Sequence, residues 1–481
     1  MNKVMLLYPP GRLYQRSEDR AQCNISESAA GSVHACNDLG YCAAVLLEKN
    51  YNVFLRDYQT EGASFADVIN DVRTFRPDMI VLSTTNTSVR DDIDFLKKIS
   101  SFQPCVCVMK GAVFFDISTD LLRQLDLSHI DCLIGCEMEF VIGDIADCYL
   151  RHTRAPKDIG GILYQTENGF VKTPFRCGEN DLDALPFPAR QLMNNALYVR
   201  PDTGAPMATV QTGLGCPSGC IYCLTPVISG RNVRKRSVEN VFKEIEECYY
   251  RFGIRDFFFK ADTFTIDEAY AAAICDKIIG SPLYGKIAFT VNSRVKPLSE
   301  GLLLKLKQAG CFTVAVGFES GSSETLKRIK KGATAEDNLR AARMIKDAGI
   351  PLFGFFMIGF PWEDRKMIAE TEKLIHKIDP DFMELHIATP FYGTELYERC
   401  KEYGVLTESA FGADAYNPAT TGTKYLSAQE IRKIKSGILL RFYMRPQYIA
   451  RKVSANLSRP VVVLNYVRYG ARMLRNMFRK K

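Results

Sequence analysis

Cys216, Cys220 and Cys223 lie within the run Gly-Leu-Gly-Cys-Pro-Ser-Gly-Cys-Ile-Tyr-Cys, at C-x3-C-x2-C spacing with an aromatic residue just before the last thiol. Three thiolates in one tight loop can hold three irons of a 4Fe-4S cube and leave the fourth iron open. Such clusters are normally held by four Cys, so the triad implies either a distant fourth ligand or a site kept for something else. A zinc site would want four N or S ligands, usually in two separated pairs. The chain has no second CxxC, no HxxxH and only five His. Disulfides would need an oxidising compartment, and the opening run Met1-Asn-Lys-Val-Met-Leu-Leu-Tyr-Pro-Pro is too short for a signal peptide. An open-site cluster therefore accounts for the triad better than zinc or disulfide pairing does.

The elements that must position these thiols follow from composition and pattern. A chain of 481 residues with 47% hydrophobic and 24% charged content fits an ordinary globular protein of about three domains. No apolar run approaches the length of a membrane-spanning helix. Most of the sixteen Cys are scattered singly, as at Cys248, Cys275 and Cys311, which suits small buried hydrophobes in a reducing cytoplasm. Charge is placed unevenly. Residues 431–481 carry fourteen Lys or Arg and no Asp or Glu, so a chain of net +7 has a remainder of −7. Val461, Leu464, Val467, Ala471, Leu474 and Phe478 recur among the Arg at three- to four-residue steps. That is the pattern of an amphipathic helix, packed on its own protein or seated on an anionic membrane surface. The tail carries no nucleic-acid-binding motif, so no nucleic acid partner is expected.

Residues 1–150 alternate strands and helices. The strands are Val4-Met-Leu-Leu-Tyr, Asn52-Val-Phe-Leu-Arg, Met79-Ile-Val-Leu-Ser, Cys105-Val-Cys-Val-Met and Cys132-Leu-Ile. Helices at 40–49 and 65–75 separate the first three. The expected fold is α/β, here a Rossmann-like doubly wound parallel sheet with its ligand crevice beyond the strand C-termini. Thr84, Thr85, Gly111, Glu137 and Glu139 fall at those ends. Residues 151–200 are turn-rich and lack a sustained period, as a linker would.

From 201 to 405 a second β/α series begins, with strands at 208–211, 257–262, 287–294, 312–319, 352–359 and 382–388. Six units make a partial TIM-like barrel, whose C-terminal strand ends carry chemistry. Asp262, Arg294, Glu319 and Gly359 fall there, as does the cysteine loop. Residues 406–481 complete the chain as a helical basic region.

The motifs Leu7-Tyr-Pro-Pro, Leu39-Gly-Tyr-Cys-Ala-Ala-Val-Leu, Pro77-Asp-Met-Ile-Val-Leu-Ser-Thr-Thr, Leu185-Pro-Phe-Pro-Ala-Arg, Asp262-Thr-Phe-Thr, Gly317-Phe-Glu-Ser-Gly-Ser, Phe356-Met-Ile-Gly-Phe-Pro and Thr389-Pro-Phe-Tyr-Gly-Thr accompany the triad in this order. With these companions the chain resembles the cobalamin-binding radical S-adenosylmethionine enzymes, of the group that includes the anaerobic magnesium-protoporphyrin monomethyl ester cyclase and hopanoid-biosynthesis enzymes. The resemblance implies three cofactors, a 4Fe-4S cluster, S-adenosylmethionine and cobalamin. Cys216, Cys220 and Cys223 would be both the metal ligands and the catalytic centre, reductively cleaving S-adenosylmethionine to a 5'-deoxyadenosyl radical. Tyr222, Asp262, Arg294, Glu319, Gly354 and Gly359 would contact S-adenosylmethionine, and Thr84, Thr85, Gly111, Glu137 and Glu139 would contact cobalamin. The chain departs from the family in Trp362, where a Gly is usual, and in having no Asp-x-His-x-x-Gly loop to ligate cobalt.

The implied reaction is methylation of an unactivated carbon, with a second S-adenosylmethionine remethylating reduced cobalt. A cyclisation, rearrangement or oxidation without methyl transfer is the alternative, and a non-catalytic cobalamin or redox sensor a further one. The resemblance of Leu440-Arg-Phe-Tyr-Met-Arg-Pro-Gln-Tyr-Ile to the hopanoid and cyclase tails implies an apolar, lipid-like small-molecule substrate. An electron donor such as flavodoxin or ferredoxin and a peripheral place at the inner membrane face complete the expectation.

Overall fold

The computed structural model of the protein describes residues 1–17, 25, 33–115, 117–174, 181–406 and 421–478. β1 (Lys3–Tyr8), β2 (Asn52–Asp57), β3 (Met79–Ser83), β4 (Val106–Lys110) and β5 (Cys132–Ile134) pair in parallel in the order β2-β1-β3-β4-β5. Val4 to Leu7 and Met79 to Leu82 are fully buried, as strands covered by helices on both faces must be. The helix Phe65–Phe75 opens on a capping box in which Ser64 and Asp67 exchange hydrogen bonds. Strand order reverses between β1 and β3, which opens a crevice beyond their carboxyl ends.

The expected linker contributes structure of its own. β6 (Ile162–Thr166) and β7 (Gly169–Lys172) form an antiparallel hairpin that extends this sheet beside β5. Its polar sequence Tyr164-Gln-Thr-Glu-Asn-Gly reads as a turn because only one face of the hairpin is covered.

The second series starts at β8 (Met207–Gln211). A short antiparallel pair, β9 (Gly213–Leu214) and β10 (Arg234–Lys235), brackets the cysteine loop. β11 (Asp256–Lys260), β12 (Ala288–Ser293), β13 (Cys311–Glu319), β14 (Leu352–Ile358) and β15 (Phe382–Ile387) then add in parallel and in chain order, leaving β8 and β15 at the edges of an open barrel. Val210, Phe257, Phe259, Val291, Val316 and Phe356 turn outward into one buried core beneath the helices. Phe258, Thr290, Asn292, Phe353, Phe355 and His386 alternate with them and remain half-buried on the inner face. Gly310 at φ 101° and Gly349 at φ 66° close the helices Glu300–Ala309 and Ala335–Asp347.

The two sheets are joined by buried polar contacts. Arg190 Nη2 lies 2.6 Å from Glu244 Oε1, Arg236 reaches the other carboxylate oxygen, and Asn37 Nδ2 donates to the carbonyl of Thr209 at 2.7 Å. Helices Ala428–Tyr443, Pro446–Ser454 and Pro460–Phe478 end the described chain. Among the described residues no helix is long and apolar enough to cross a membrane. Arg479, Lys480 and Lys481 of the basic tail lie outside the described residues.

Candidate active site

The cysteine loop begins at Gly215, held at φ 90° with its nitrogen donating to Asp262 Oδ2 at 2.5 Å. A Cβ at this position would meet the carbonyl of Asn232 at 2.0 Å, so only glycine fits. Thr225 Oγ1 donates to the other oxygen of Asp262 at 3.1 Å. Asp262 therefore pins both ends of the loop, at the C-terminal end of β11. Cys220 is buried, Cys216 and Cys223 half-buried, and none of the three is in a disulfide. Among the described residues no group of three His, Cys, Asp or Glu is gathered tightly enough for one metal ion. An all-sulfur set spread over one loop fits a cluster that takes one iron per thiolate better than a single ion.

Arg294, just beyond β12, donates from Nη1 to Cys220 Sγ at 3.4 Å and from Nη2 to the carbonyl of Lys331. Burial works against this guanidinium, but the sulfurs of Cys220 and Cys216 raise its pKa on balance. Lys331 Nζ in turn lies 2.7 Å from Glu319 Oε1, both side chains nearly closed to solvent. Glu319 owes its position to a register shift between β13 and β14 at Gly317, and it sits at φ 64°. Bulges at barrel rims re-aim side chains in this way. Tyr222 stands beside Glu319, and burial, then that carboxylate, raises its phenol well above the ordinary range. Cys220, Tyr222, Arg294 and Glu319 thus come together at the strand ends, with Lys331 as an added member that sequence reasoning missed.

The glycines divide. Gly359, at φ 87°, turns the chain after β14 and donates to Glu363 Oε2 at 2.7 Å. Glu363, also missed from sequence, is fully buried and further accepts from Phe360 N at 3.2 Å and Thr325 Oγ1 at 3.0 Å. Burial outweighs these three donors and pushes its pKa up to about 7. Gly354 instead lies on the outward face of β14, where a Cβ would meet Phe356 Cε2 at 2.7 Å. Its small size admits the stacked Phe318 and Phe356 rings.

The crevice of the first sheet faces the barrel. Between them lies an open cleft whose lining includes Asn37, Asp38, Lys110, Glu139, Gln211 and Lys260. Asn37 Oδ1 is buried there without a hydrogen-bond partner, an acceptor available to the amide fringe of a corrin ring. No histidine lines the cleft among the described residues, so cobalt would have no imidazole ligand from it. The five residues expected at this site are distributed differently. Thr84 donates to Asp92 at 2.6 Å and Thr85 shares a hydrogen bond with Ser88 at 2.9 Å, both fully within the protein. Gly111 makes room for the Thr84 methyl, since a Cβ would approach it to 2.6 Å. Glu137 lines the cleft but is held by a two-pronged ion pair with Arg234 on β10. Glu139 lines it as well.

Residues 210–375 match the Radical SAM superfamily. The chain is 29% identical over 416 residues to an uncharacterised methyltransferase of Pyrococcus horikoshii, covering 86% of this chain and 89% of the relative. It is 22% identical to the anaerobic magnesium-protoporphyrin IX monomethyl ester cyclase of Cereibacter sphaeroides, over 85% of this chain and 66% of that protein. Its fold superposes with a TM-score of 0.73, at 16% identity, on the cobalamin-dependent S-adenosylmethionine radical enzyme OxsB solved with aqua-cobalamin and S-adenosylmethionine bound. That match covers 99% of this chain and 72% of the other.

Proposed function

We propose that this chain, with its radical SAM domain at residues 210–375, is a cobalamin-dependent methyltransferase that acts on an unactivated carbon of an apolar small molecule. The observation that carries the reading is the convergence of three thiols outside any disulfide with Arg294, Glu319 and Lys331 at the C-terminal ends of parallel barrel strands. When bound, a 4Fe-4S cluster supplies the electron that splits S-adenosylmethionine into methionine and a 5'-deoxyadenosyl radical, and cobalamin carries the methyl group.

The chain's own residues bind, orient and exclude water. Cys216, Cys220 and Cys223 would hold the three protein-ligated irons of the cluster. Arg294 holds the Cys220 sulfur in place by a hydrogen bond, and such outer contacts orient ligands and tune the metal. Tyr222, Glu319 and Lys331 form the polar wall to which the amino acid and ribose parts of S-adenosylmethionine would bind. Glu363 fixes the turn at Gly359 and Phe360 beside it. Phe258, Phe353 and Phe355 on the inner face supply an apolar lining that suits an apolar substrate and keeps water from a radical. Support for methyl transfer comes from the name of the Pyrococcus horikoshii relative, and support for cobalamin from the cleft and its Asn37 acceptor.

Each methylation consumes two S-adenosylmethionine molecules, one giving methionine and 5'-deoxyadenosine, the other S-adenosylhomocysteine. A low-potential donor of the flavodoxin or ferredoxin type supplies the two electrons that this stoichiometry requires, one for each sulfonium cation consumed. The test is anaerobic turnover of reconstituted enzyme with methyl-labelled S-adenosylmethionine and an apolar cell extract. Label in an extractable apolar product, with S-adenosylhomocysteine and 5'-deoxyadenosine formed together, is expected. 5'-Deoxyadenosine without S-adenosylhomocysteine would replace methyl transfer with cyclisation, rearrangement or oxidation.

A further inference from the structure

The helix Pro460–Phe478 divides its residues between two surfaces. One face is packed on the protein. Val462 is buried, Asn465 Nδ2 donates to the carbonyl of Asp202 at 2.9 Å, the Tyr466 ring lies 5.6 Å from that of Phe382, and Tyr469 donates to the carbonyl of Pro201. Pro201 and Asp202 precede β8, and Phe382 is the first residue of β15. The helix therefore sits beneath the N-terminal strand ends, opposite the cysteine loop.

The other face meets solvent and is apolar. Val461 is 57% exposed, Leu464 48% and Val467 62%, and just before the helix Leu457 is 72% exposed. With Met444, Ile449 and Val453 these make seven of the fifteen large hydrophobic residues found exposed among the described residues, all within 24 consecutive positions. Scattered exposed apolar residues need no explanation, whereas a concentration of this kind marks a surface that is covered in use.

Charge identifies what covers it. Residues 431–481 carry fourteen basic and no acidic residues. Part of that charge is neutralised within the protein. Arg441 pairs with Glu372 at 2.5 Å, Arg445 and Arg451 with Asp379 at 2.6 and 2.5 Å, and Lys452 with Asp381 at 2.7 Å. Arg459, Arg468 and Arg475 are exposed, flank the apolar residues, and make no ion pair among the described residues. An exposed apolar stripe edged by cations is complementary to an anionic lipid surface, where acyl chains take the side chains and headgroups take the guanidiniums. A second copy of the chain would bring the same positive charge against itself.

We infer that the C-terminal helices seat the protein on an anionic bilayer, with Leu457, Val461, Leu464 and Val467 entering the interface. Docking places the membrane at the barrel end away from the thiols, so the cysteine loop and the cleft face the aqueous phase. The surface is separate from the radical chemistry and does not depend on it.

The test is flotation of the full-length protein with vesicles of phosphatidylcholine alone and of phosphatidylcholine with phosphatidylglycerol. Two variants accompany it, Leu464→Glu with Val467→Glu and Arg468→Glu with Arg475→Glu. All four positions are exposed, so far-ultraviolet circular dichroism and melting should match wild type. Wild type is expected to float with the anionic vesicles only, and each double variant to lose that binding by about tenfold or more. Failure of wild type to float, or flotation unchanged in both variants, overturns the inference. So does a wild-type dimer that Leu464→Glu with Val467→Glu converts to monomer, which would assign the face to a second copy.

Discussion

The ammonium of Lys331 lies 2.7 Å from Oε1 of Glu319, with 4% and 9% of the two side chains exposed, at the rim where the cysteine loop meets the barrel. Removing one partner of such a pair strands a buried charge. Glu319→Gln is expected to destabilise the protein by about 3–5 kcal/mol, and Glu319→Gln with Lys331→Met to recover most of that loss. Calorimetric melting of the two variants decides it, and equal melting would show that the pair contributes no net coupling.

Arg294 contacts the Cys220 sulfur and a backbone carbonyl at once, which the single ammonium of a lysine cannot reproduce. Arg294→Lys should leave the iron content intact and lower the rate of S-adenosylmethionine cleavage about 10- to 100-fold. Iron analysis beside product formation separates this from loss of the cluster.

Glu363 gives a pH signature. Burial raises its pKa from the ordinary 4.5 to about 7, so the folded state keeps a proton that the unfolded chain releases. Its contribution to stability is therefore fully present below about pH 4.5 and declines as pH rises to about 7, with no further change above. In Glu363→Gln that decline is removed. The difference in Tm between variant and wild type, followed from about pH 5 to pH 8, should grow in favour of the variant and then level off.

Two residues at the ends of the first sheet should behave differently toward cobalamin. Thr84 hydrogen-bonds Asp92 inside the protein, whereas Lys110 lines the cleft. Thr84→Val is expected to cost about 1 kcal/mol of stability with corrinoid uptake retained. Lys110→Ala should reduce uptake, measured by absorbance after equilibrium with aqua-cobalamin and gel filtration. The reverse order would move the corrin site from the cleft to the strand ends.

Both sheets were legible in the sequence because their strands are apolar or aromatic runs closed by Gly, Pro or Thr. The hairpin of β6 and β7 was not, since Gln165, Glu167 and Asn168 interrupt any strand period. Within the site, Cys220, Arg294 and Glu319 could be found by motif and strand-end position. Lys331 could not, because it follows a helix in a polar turn and acquires its role only through Glu319, twelve positions away in sequence. Gly354 belongs, by simple alternation along β14, to the face of Leu352 and Phe356 rather than to the inner face, and counting two-residue steps identifies it as a packing glycine. Thr84 and Thr85 sit where a ligand crevice is expected, but Ser88 and Asp92, one and two helical turns on, take their hydroxyls.

The most direct test of the radical assignment is the yield of 5'-deoxyadenosine from anaerobically reconstituted, dithionite-reduced protein incubated with S-adenosylmethionine, compared between wild type and Cys220→Ala. Wild type should release 5'-deoxyadenosine and methionine in equal amounts, and Cys220→Ala should release neither. Wild-type protein that takes up iron and sulfide yet leaves S-adenosylmethionine intact would contradict the account.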